Sequence, residues 1–384
     1  MRILYCTDTF LPEVNGVTTV LATMRDGLRR RGHEVMLVAP RYLTTTTDEH
    51  LVHRLGSVPC PGYRQVRLSW PWGRGLWRVI GEFQPELVHV VTEGPIGTYG
   101  RNWARRRGVP VVSSFHTDFP RYAERYLGRY AVGPTRAWLR WFHRAAAFTQ
   151  TPSEATRDEL QVLGVPQPVV WGRGVDTAWF RPERRTRPVH GGPVEVLHVG
   201  RLAVEKDVET VVAVFRAARA QLGEAATFTV AGDGPEAAAV RAALPFARHL
   251  GFLDRDTLAT LYADADVFVF PSPTETCGLV ALEALASGVP VVGADAGGIP
   301  GNVREGLTGF LVPPGDVTGF TRRVVELAGD APQRLAMREA ARAFTVGRDW
   351  ARELDQLEAD YAMLRWASSA APAPSAWPTS TSVA

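Results

Sequence analysis

Lysine is almost missing from this chain. Of its 43 basic residues 42 are arginine, and the single lysine stands at position 206. An arginine-favouring genome produces such a bias. A lysine that survives it marks a place where a compact ammonium works and a guanidinium fork does not, although a chance survivor leaves the same trace. Cysteine is scarce too. Cys6, Cys60 and Cys277 are too few and too scattered for a disulfide framework or a zinc site, and a reducing cytoplasm is the simplest compartment. No apolar run approaches the roughly 18 residues that span a bilayer. The opening MRILYCTDTF is broken by Asp8 and Pro12, so it reads as a first strand and not as a signal peptide. Neither sign of charge dominates overall, but the net +3 hides an asymmetry. Residues 1–180 carry 23 arginines against 15 acids, a balance of +8, and the remainder carries 20 basic and 25 acidic residues. A basic first half suits an anionic lipid surface or substrate. The arginines come with no recognisable nucleic-acid motif, so no nucleic-acid partner is expected.

What is present is alternation. The 384 residues suffice for two domains with separate cores. The strand ILYCTDTF (3–10), the amphipathic segment 17–33 and the strand EVMLVAP (34–40) make one βαβ unit. The apolar runs ELVHVV (86–91) and VPVVSSF (109–115) continue it. Near 176–193 the pattern lapses into a Pro-, Arg- and Gly-rich linker. It resumes with VEVLHVG (194–200), a helix near 207–222, ATFTVAG (226–232), ADVFVFPS (265–272) and VPVVGAD (289–295). Continuous apolar strands between helices indicate parallel sheets covered on both faces. The expected fold class is therefore α/β, two Rossmann-like doubly wound domains facing a central cleft: 1–175, a linker at 176–193, and 194–348. A C-terminal helix over 349–366 packs back toward the first domain, and 367–384 is a low-complexity, disordered tail.

Three loops of the second half follow strands and converge at its cleft edge. GRLAVEKD (200–207) offers Arg201 and Lys206. AGDGP (231–235) is a Gly-rich turn entering a helix. PSPTETCGLVALEALASG (271–288) ends a strand and starts a helix near Cys277–Gly278. Free N–H groups at that helix start, with the two cations, suit a diphosphate without a metal. In the same stretch Glu275 and Glu283 stand in apolar company. Carboxylates accept from vicinal hydroxyls such as those of ribose or a sugar ring, and a diphosphate between two polyhydroxyl groups is a nucleotide-sugar. The plainer alternative makes Glu283 a buried structural acid and Glu275 a helix-start charge.

These residues resemble the Glu-x7-Glu motif and the donor-diphosphate loop of retaining glycosyltransferases of family 4, which adopt the GT-B fold. DTFLPEVNGV, SFHTDF (114–119), TPSEATRDEL (151–160) and WGRGVDTAWFRP (171–182) extend the likeness over nearly the whole chain. The WGRGVD stretch looks closest to the branch of GDP-mannose-dependent lipid mannosyltransferases and sulfolipid synthases. The resemblance implies a catalytic set of His116, Arg201, Lys206 and Glu275. It implies a donor site of Gly16, Gly200, Arg201, Lys206, Gly232, Asp233, Gly234, Glu275, Cys277, Gly278, Leu279 and Glu283, with Glu275 on the sugar and Glu283 on the ribose. Asn15, Gly16, His116 and Asp118 would meet the acceptor. It further implies transfer with retention by a front-face route, with no cofactor and no metal. Two departures stand out. Gly301 in AGGIPGNV (296–303) replaces a usual acid, and Asn15-Gly16 replaces a frequent pair of glycines.

GPTRAWLRWFHRAAA (133–147) sets Arg136, Arg140 and Arg144 at i,i+4 spacing beside Trp138 and Trp141. Such a helix is a candidate for lying on anionic lipid, which would make the enzyme peripheral on the inner face of the cytoplasmic membrane. A helix packed by its aromatics with a solvated arginine face is the alternative. The expected partners are a nucleotide-sugar and a lipid or glycan acceptor. Two further classes stay open: a nucleotide-sugar epimerase, which needs no acceptor, and a pure binder, which turns nothing over.

Overall fold

In the computed structural model, residues 1–43, 49–60, 63–70, 74–188 and 191–370 are described. They form two parallel sheets with helices on both faces. The first half contributes strands β1 (Arg2–Cys6), β2 (Glu34–Pro40), β3 (Val52–Leu55), β4 (Ser57–Cys60) and β5 (Tyr63–Ser69). It continues with β6 (Leu87–Val90), β7 (Val111–Ser114), β8 (Phe148–Thr151) and β9 (Pro168–Val170). The second half holds β10 (Val194–Val199), β11 (Ala226–Ala231), β12 (Arg248–Gly251), β13 (Val267–Phe270), β14 (Val291–Ala294) and β15 (Gly309–Val312). Helices of the first half are α1 (Gly16–Arg30), α2 (Arg74–Phe83), α3 (Pro95–Arg107), α4 (Phe119–Leu127), α5 (Val132–His143) and α6 (Glu154–Leu163). Those that follow are α7 (Val208–Leu222), α8 (Ala237–Ala243), α9 (Arg255–Asp264), α10 (Leu279–Ala286), α11 (Val317–Gly329), α12 (Ala331–Val346) and α13 (Trp350–Ala370).

The seven-stranded sheet runs β3-β2-β1-β6-β7-β8-β9 and the six-stranded sheet β12-β11-β10-β13-β14-β15, with β4 and β5 a separate antiparallel pair. Every pairing within the two large sheets is parallel. Strands such as VFVF (β13) and VVGA (β14) are buried along their whole length, as sheets sandwiched by helices require. In each sheet the strand order reverses once, between β1 and β6 and between β10 and β13. Crevices at such reversals, beyond the carboxyl ends of the strands, are where doubly wound sheets take ligands.

α1 shows why local sequence folds as it does. Asn15 accepts from the Thr18 amide while the Thr18 hydroxyl accepts from the Asn15 amide, a closed capping box. Val20, Leu21, Met24 and Leu28 then line its buried face. β1 ends at Cys6, four residues before the expected end, because Asp8 turns away to cap α3 through the amides of Ile96 and Gly97.

The chain crosses from the first sheet to the second after β9 and returns before α13. The crossings touch where the Val175 amide donates to the Arg348 carbonyl, 2.9 Å. Residues 176–188 are strapped to the second half. Phe180 is buried in its core, Arg185 pairs with Asp266 at 2.7 Å, and Asp264 accepts from the Thr186 and Arg187 amides. α13 lies on α1 and buries Leu354, Leu357 and Tyr361 in the first core; each such apolar side chain contributes about 1.5–3 kcal/mol. This helix runs four residues past the expected start of the tail at Ala367, and the rest of the tail, 371–384, lies outside the described residues.

Candidate functional site

The carboxyl edges of the two sheets face each other. Thr276, in the loop after β13, donates from Oγ1 to the carbonyl of His116, which follows β7, at 2.9 Å. Thr156 in turn donates to the Thr276 carbonyl at 3.4 Å, and Arg121 to the Pro273 carbonyl at 2.9 Å. A Cβ placed on Gly16, the first residue of α1, would lie 3.7 Å from the Leu279 side chain at the start of α10. The starts of α1 and α10 therefore meet across the cleft.

On the second side, Lys206 and Glu275 bridge the strand reversal: the ammonium donates to the carboxylate. Their side chains keep 20% and 15% of their surface exposed, so the pair is reachable from the cleft. Arg201 lies 3.4 Å from the buried Glu205. α10 begins at Leu279 after Gly278, which is left-handed (φ 77°) and puts no side-chain cap on the helix. The helix starts of α1, α3 and α4 are capped by Asn15, Asp8 and Asp118. α10, like α5, α7 and α8, has no side-chain cap, and its start is the one that lies beside Glu275 at the cleft.

Glu283 lies about one turn into α10, which begins at Leu279. Burial pushes its carboxyl up to about 7, opposed by the Tyr262 hydroxyl and then by Arg255. Burial pushes the Cys277 thiol up to about 12, which keeps it in the neutral form.

The glycines of the AGDGP turn serve packing between loops. Gly232 has φ 129°, and a Cβ there would sit 1.9 Å from the Gly200 carbonyl. At Gly234 the obstacle is the Leu202 carbonyl, 2.2 Å away. Asp233 is exposed and accepts from the Gly234 amide at 2.8 Å. Near Gly301, Asn302 donates to the Cys277 carbonyl at 2.5 Å and receives Arg348 at 3.2 Å, while Arg348 also reaches the Gly301 carbonyl at 3.3 Å. The loop with the missing acid is thus held by its asparagine.

On the first side the expected acceptor residues divide. Asn15 and Asp118 have their side chains engaged as helix caps, and Asp118 also pairs with Arg121 at 2.9 Å. They shape the cleft wall from behind. His116 is different: Arg173 donates to its Nδ1 at 3.3 Å, and its Nε2 is enclosed with no protein partner. Burial, the Arg173 charge and then His89 hold it well below the ordinary histidine value. Two residues escaped sequence reasoning. Glu13 accepts from Tyr42 at 3.0 Å and Asn15 at 3.4 Å, and feels the Arg201 charge from the other side of the cleft. Arg173 was visible only as part of the WGRGVD stretch. Nothing local in sequence pairs either with its partner.

The candidate lipid-facing helix is α5, and its aromatics split. Trp138 packs edge-on to Phe119 and against Phe142, with Leu139 and Phe142 fully inside. Trp138 is therefore partly buried, packed against the small cluster of Phe115, Leu139, Leu160 and Val165. Trp141 is 46% exposed, with the Arg101 guanidinium 4.1 Å above its ring. Arg101, Arg105, Arg140 and Arg144 line a groove of about 490 Å³ beside it; Arg136 is exposed on the same helix. Among the described residues no helix is long and apolar enough to cross a membrane, and no three His, Cys, Asp or Glu gather as a metal set.

Comparison with known proteins fits this geometry. Residues 14–179 match the family Glycosyltransferase Family 4, and residues 193–330 match Glycosyl transferases group 1. The chain is 34% identical over 377 residues to a GDP-mannose-dependent alpha-mannosyltransferase of Mycobacterium tuberculosis, covering 95% of this chain and 97% of that one. It is 38% identical over 342 residues to the sulfoquinovosyl transferase SQD2 of Arabidopsis thaliana, covering 84% and 66%. Among solved structures, sucrose-phosphate synthase from Thermosynechococcus elongatus superimposes with a TM-score of 0.79 at 20% identity, covering 95% of this chain and 99% of that one. Anabaena HepE in complex with UDP-glucose gives 0.72 at 19%, covering 95% and 100%. These neighbours share the GT-B fold. The chain belongs to glycosyltransferase family 4 and is a hexosyltransferase.

Proposed function

We propose that this enzyme moves a hexose, mannose from GDP-mannose in first place, onto a hydroxyl of a membrane glycerolipid or glycolipid, with retention at the anomeric carbon and without metal. One observation carries the reading: Arg201, Lys206 and the uncapped start of α10 gather at the strand reversal of the second sheet, with Glu275 bound to Lys206. The two cations and the helix field take up charge as the bond from the anomeric carbon to the diphosphate breaks. The acceptor oxygen bonds to that carbon on the same face, and its proton passes to the leaving phosphate oxygen. Glu275 and Glu283 accept from sugar and ribose hydroxyls. The relatives named for GDP-mannose support the base and the sugar. A UDP-sugar is the second reading, supported by the sulfoquinovosyl transferase and by an alpha-monoglucosyldiacylglycerol synthase of Streptococcus pneumoniae at 28% identity.

Lipid acceptors suit a docked enzyme. The groove of Arg101, Arg105, Arg140 and Arg144 beside Trp141 is the face that meets anionic headgroups in this reading. The test is turnover of each labelled donor, in chelator, with diacylglycerol or phosphatidylinositol vesicles, and the anomeric coupling of the product by NMR. An α-linked mannolipid supports the proposal. Conversion of donor without acceptor would make the protein an epimerase.

A further inference from the structure

His116 and Arg173 are 57 residues apart and meet where the first sheet's carboxyl edge adjoins the crossover. Arg173 is 4% exposed. Its Nη1 donates to the carbonyls of Trp171 at 2.9 Å and Gly172 at 3.3 Å, and the guanidinium lies 4.5 Å over the Trp171 ring. This holds Nη2 in a fixed direction, toward Nδ1 of His116 at 3.3 Å. A guanidinium carries donors only, so Nδ1 is the accepting nitrogen and the ring's one proton sits on Nε2. That nitrogen is enclosed and has no hydrogen-bond partner among the described residues. The His116 carbonyl is tied to Thr276, one residue from Glu275. The His116 main chain is thus held on the loop boundary where the reading above places the transferred sugar, and the unpartnered Nε2–H belongs to that same residue.

We propose that Arg173 is a positioning residue. It holds His116 neutral with the proton on Nε2, so that the ring donates to a hydroxyl oxygen of the transferred sugar and cannot act as a general base toward the acceptor. This rests on the transferase reading for the identity of the ligand, but the tautomer follows from the geometry alone. The groups facing the ring agree. From β6 comes His89, itself engaged by Tyr361 at 2.5 Å and Ser114 at 2.6 Å. Behind Arg173 stand Cys277 and Glu353 of α13. Asp118, two residues on, is turned to the start of α4 and to Arg121. No carboxylate bonds to His116 among the described residues, so nothing offsets burial and the Arg173 charge if the ring takes a second proton.

The test is ¹⁵N NMR of the labelled full-length protein, with the His116 signals identified by their loss in His116→Gln. The expected wild-type spectrum shows a protonated Nε2 and a bare Nδ1 that do not titrate between about pH 5 and 8. In Arg173→Met the ring should exchange between tautomers, while burial and His89 still hold its protonation below the ordinary value. Arg173→Lys, which keeps a donor, should restore the Nε2–H form. Transfer should fall about 10- to 100-fold in Arg173→Met and recover in part with lysine. A wild-type ring protonated on Nδ1, or titrating near 6.5, overturns the proposal even if Arg173→Met does not fold. The expected spectra without turnover of any donor would remove the transferase reading and leave the Arg173–His116 assignment in place.

Discussion

Lys206 donates to the carboxylate of Glu275, joining the loop after β10 to the loop after β13 across the reversal of strand order in the second sheet. The only lysine of the chain therefore has a fixed direction, and Glu275 sits between the cation and the cleft residues that follow it. Glu275→Gln keeps the shape and an accepting oxygen but removes the charge. GDP affinity should stay within a few-fold while hexose transfer falls about 100-fold. Calorimetry with GDP beside a transfer assay separates the two. Equal losses in both would place Glu275 on the nucleotide side instead.

Glu283 makes a pH prediction. Burial raises its carboxyl from 4.5 to about 7, so the ionised form is the disfavoured one in the folded chain. Stability from this group is given up as pH rises from about 4.5 to 7, whereas the proposed ribose contact needs the carboxylate. Donor affinity should be full above pH 7 and weaken as pH falls through it, approaching tenfold per unit. Glu283→Gln should abolish that slope. Calorimetric titrations across this range check both curves; an unchanged slope in the variant contradicts the assignment.

Two glycines should behave oppositely. Gly232→Ala meets the Gly200 carbonyl in a left-handed backbone, a strain of about 1–3 kcal/mol, and should lower the melting temperature. Gly16→Ala finds only an ordinary contact with Leu279 at 3.7 Å and sits in a helix, where alanine is favoured by up to about 1 kcal/mol. It should melt no lower than wild type yet lose transfer, since the added methyl occupies the seam between α1 and α10. Thermal melts and turnover on the same samples decide.

α5 predicts a separation of folding from docking. Arg140→Glu with Arg144→Glu should weaken flotation with phosphatidylglycerol vesicles by about 1 kcal/mol per charge, at a stability cost limited to the Arg140–Leu163 hydrogen bond, about 0.5–1.5 kcal/mol. Trp138→Ala removes a partly buried ring packed on Phe119 and Phe142 and should lower the melting temperature, by less than the about 3–5 kcal/mol of a full core truncation. If the arginine variant floats as wild type, the groove is not a membrane face.

What the sequence disclosed follows from burial. β2, β10, β11, β13 and β14 are apolar runs enclosed by helices, and each is legible in outline. β8 (FTQT) and β12 (RHLG) are not, since neither is an apolar run. The inner face of β8 is a polar network in which Thr149 and Ser113 share a hydrogen bond with His143 close by. The hairpin of β4 and β5 carries too mixed a pattern, SVPC and YRQVRLS, to read as strands. In the site, Arg201 and Lys206 share one loop, and Glu275 and Glu283 share one stretch, so each pair carries a readable spacing. Arg173 and Glu13 do not, because each gains its meaning from a partner brought in by the fold: His116 for the one, Tyr42 and the Arg201 charge for the other.

The most direct measurement is calorimetric titration of the wild type and Lys206→Arg with GDP-mannose and UDP-glucose in chelator. The account predicts binding of one donor without metal, weakened about tenfold or more by the arginine, whose fork does not fit the place of a compact ammonium beside Glu275. Binding of neither donor, or equal binding by both proteins, would contradict the diphosphate site at Lys206 and return Glu275 to a structural ion pair.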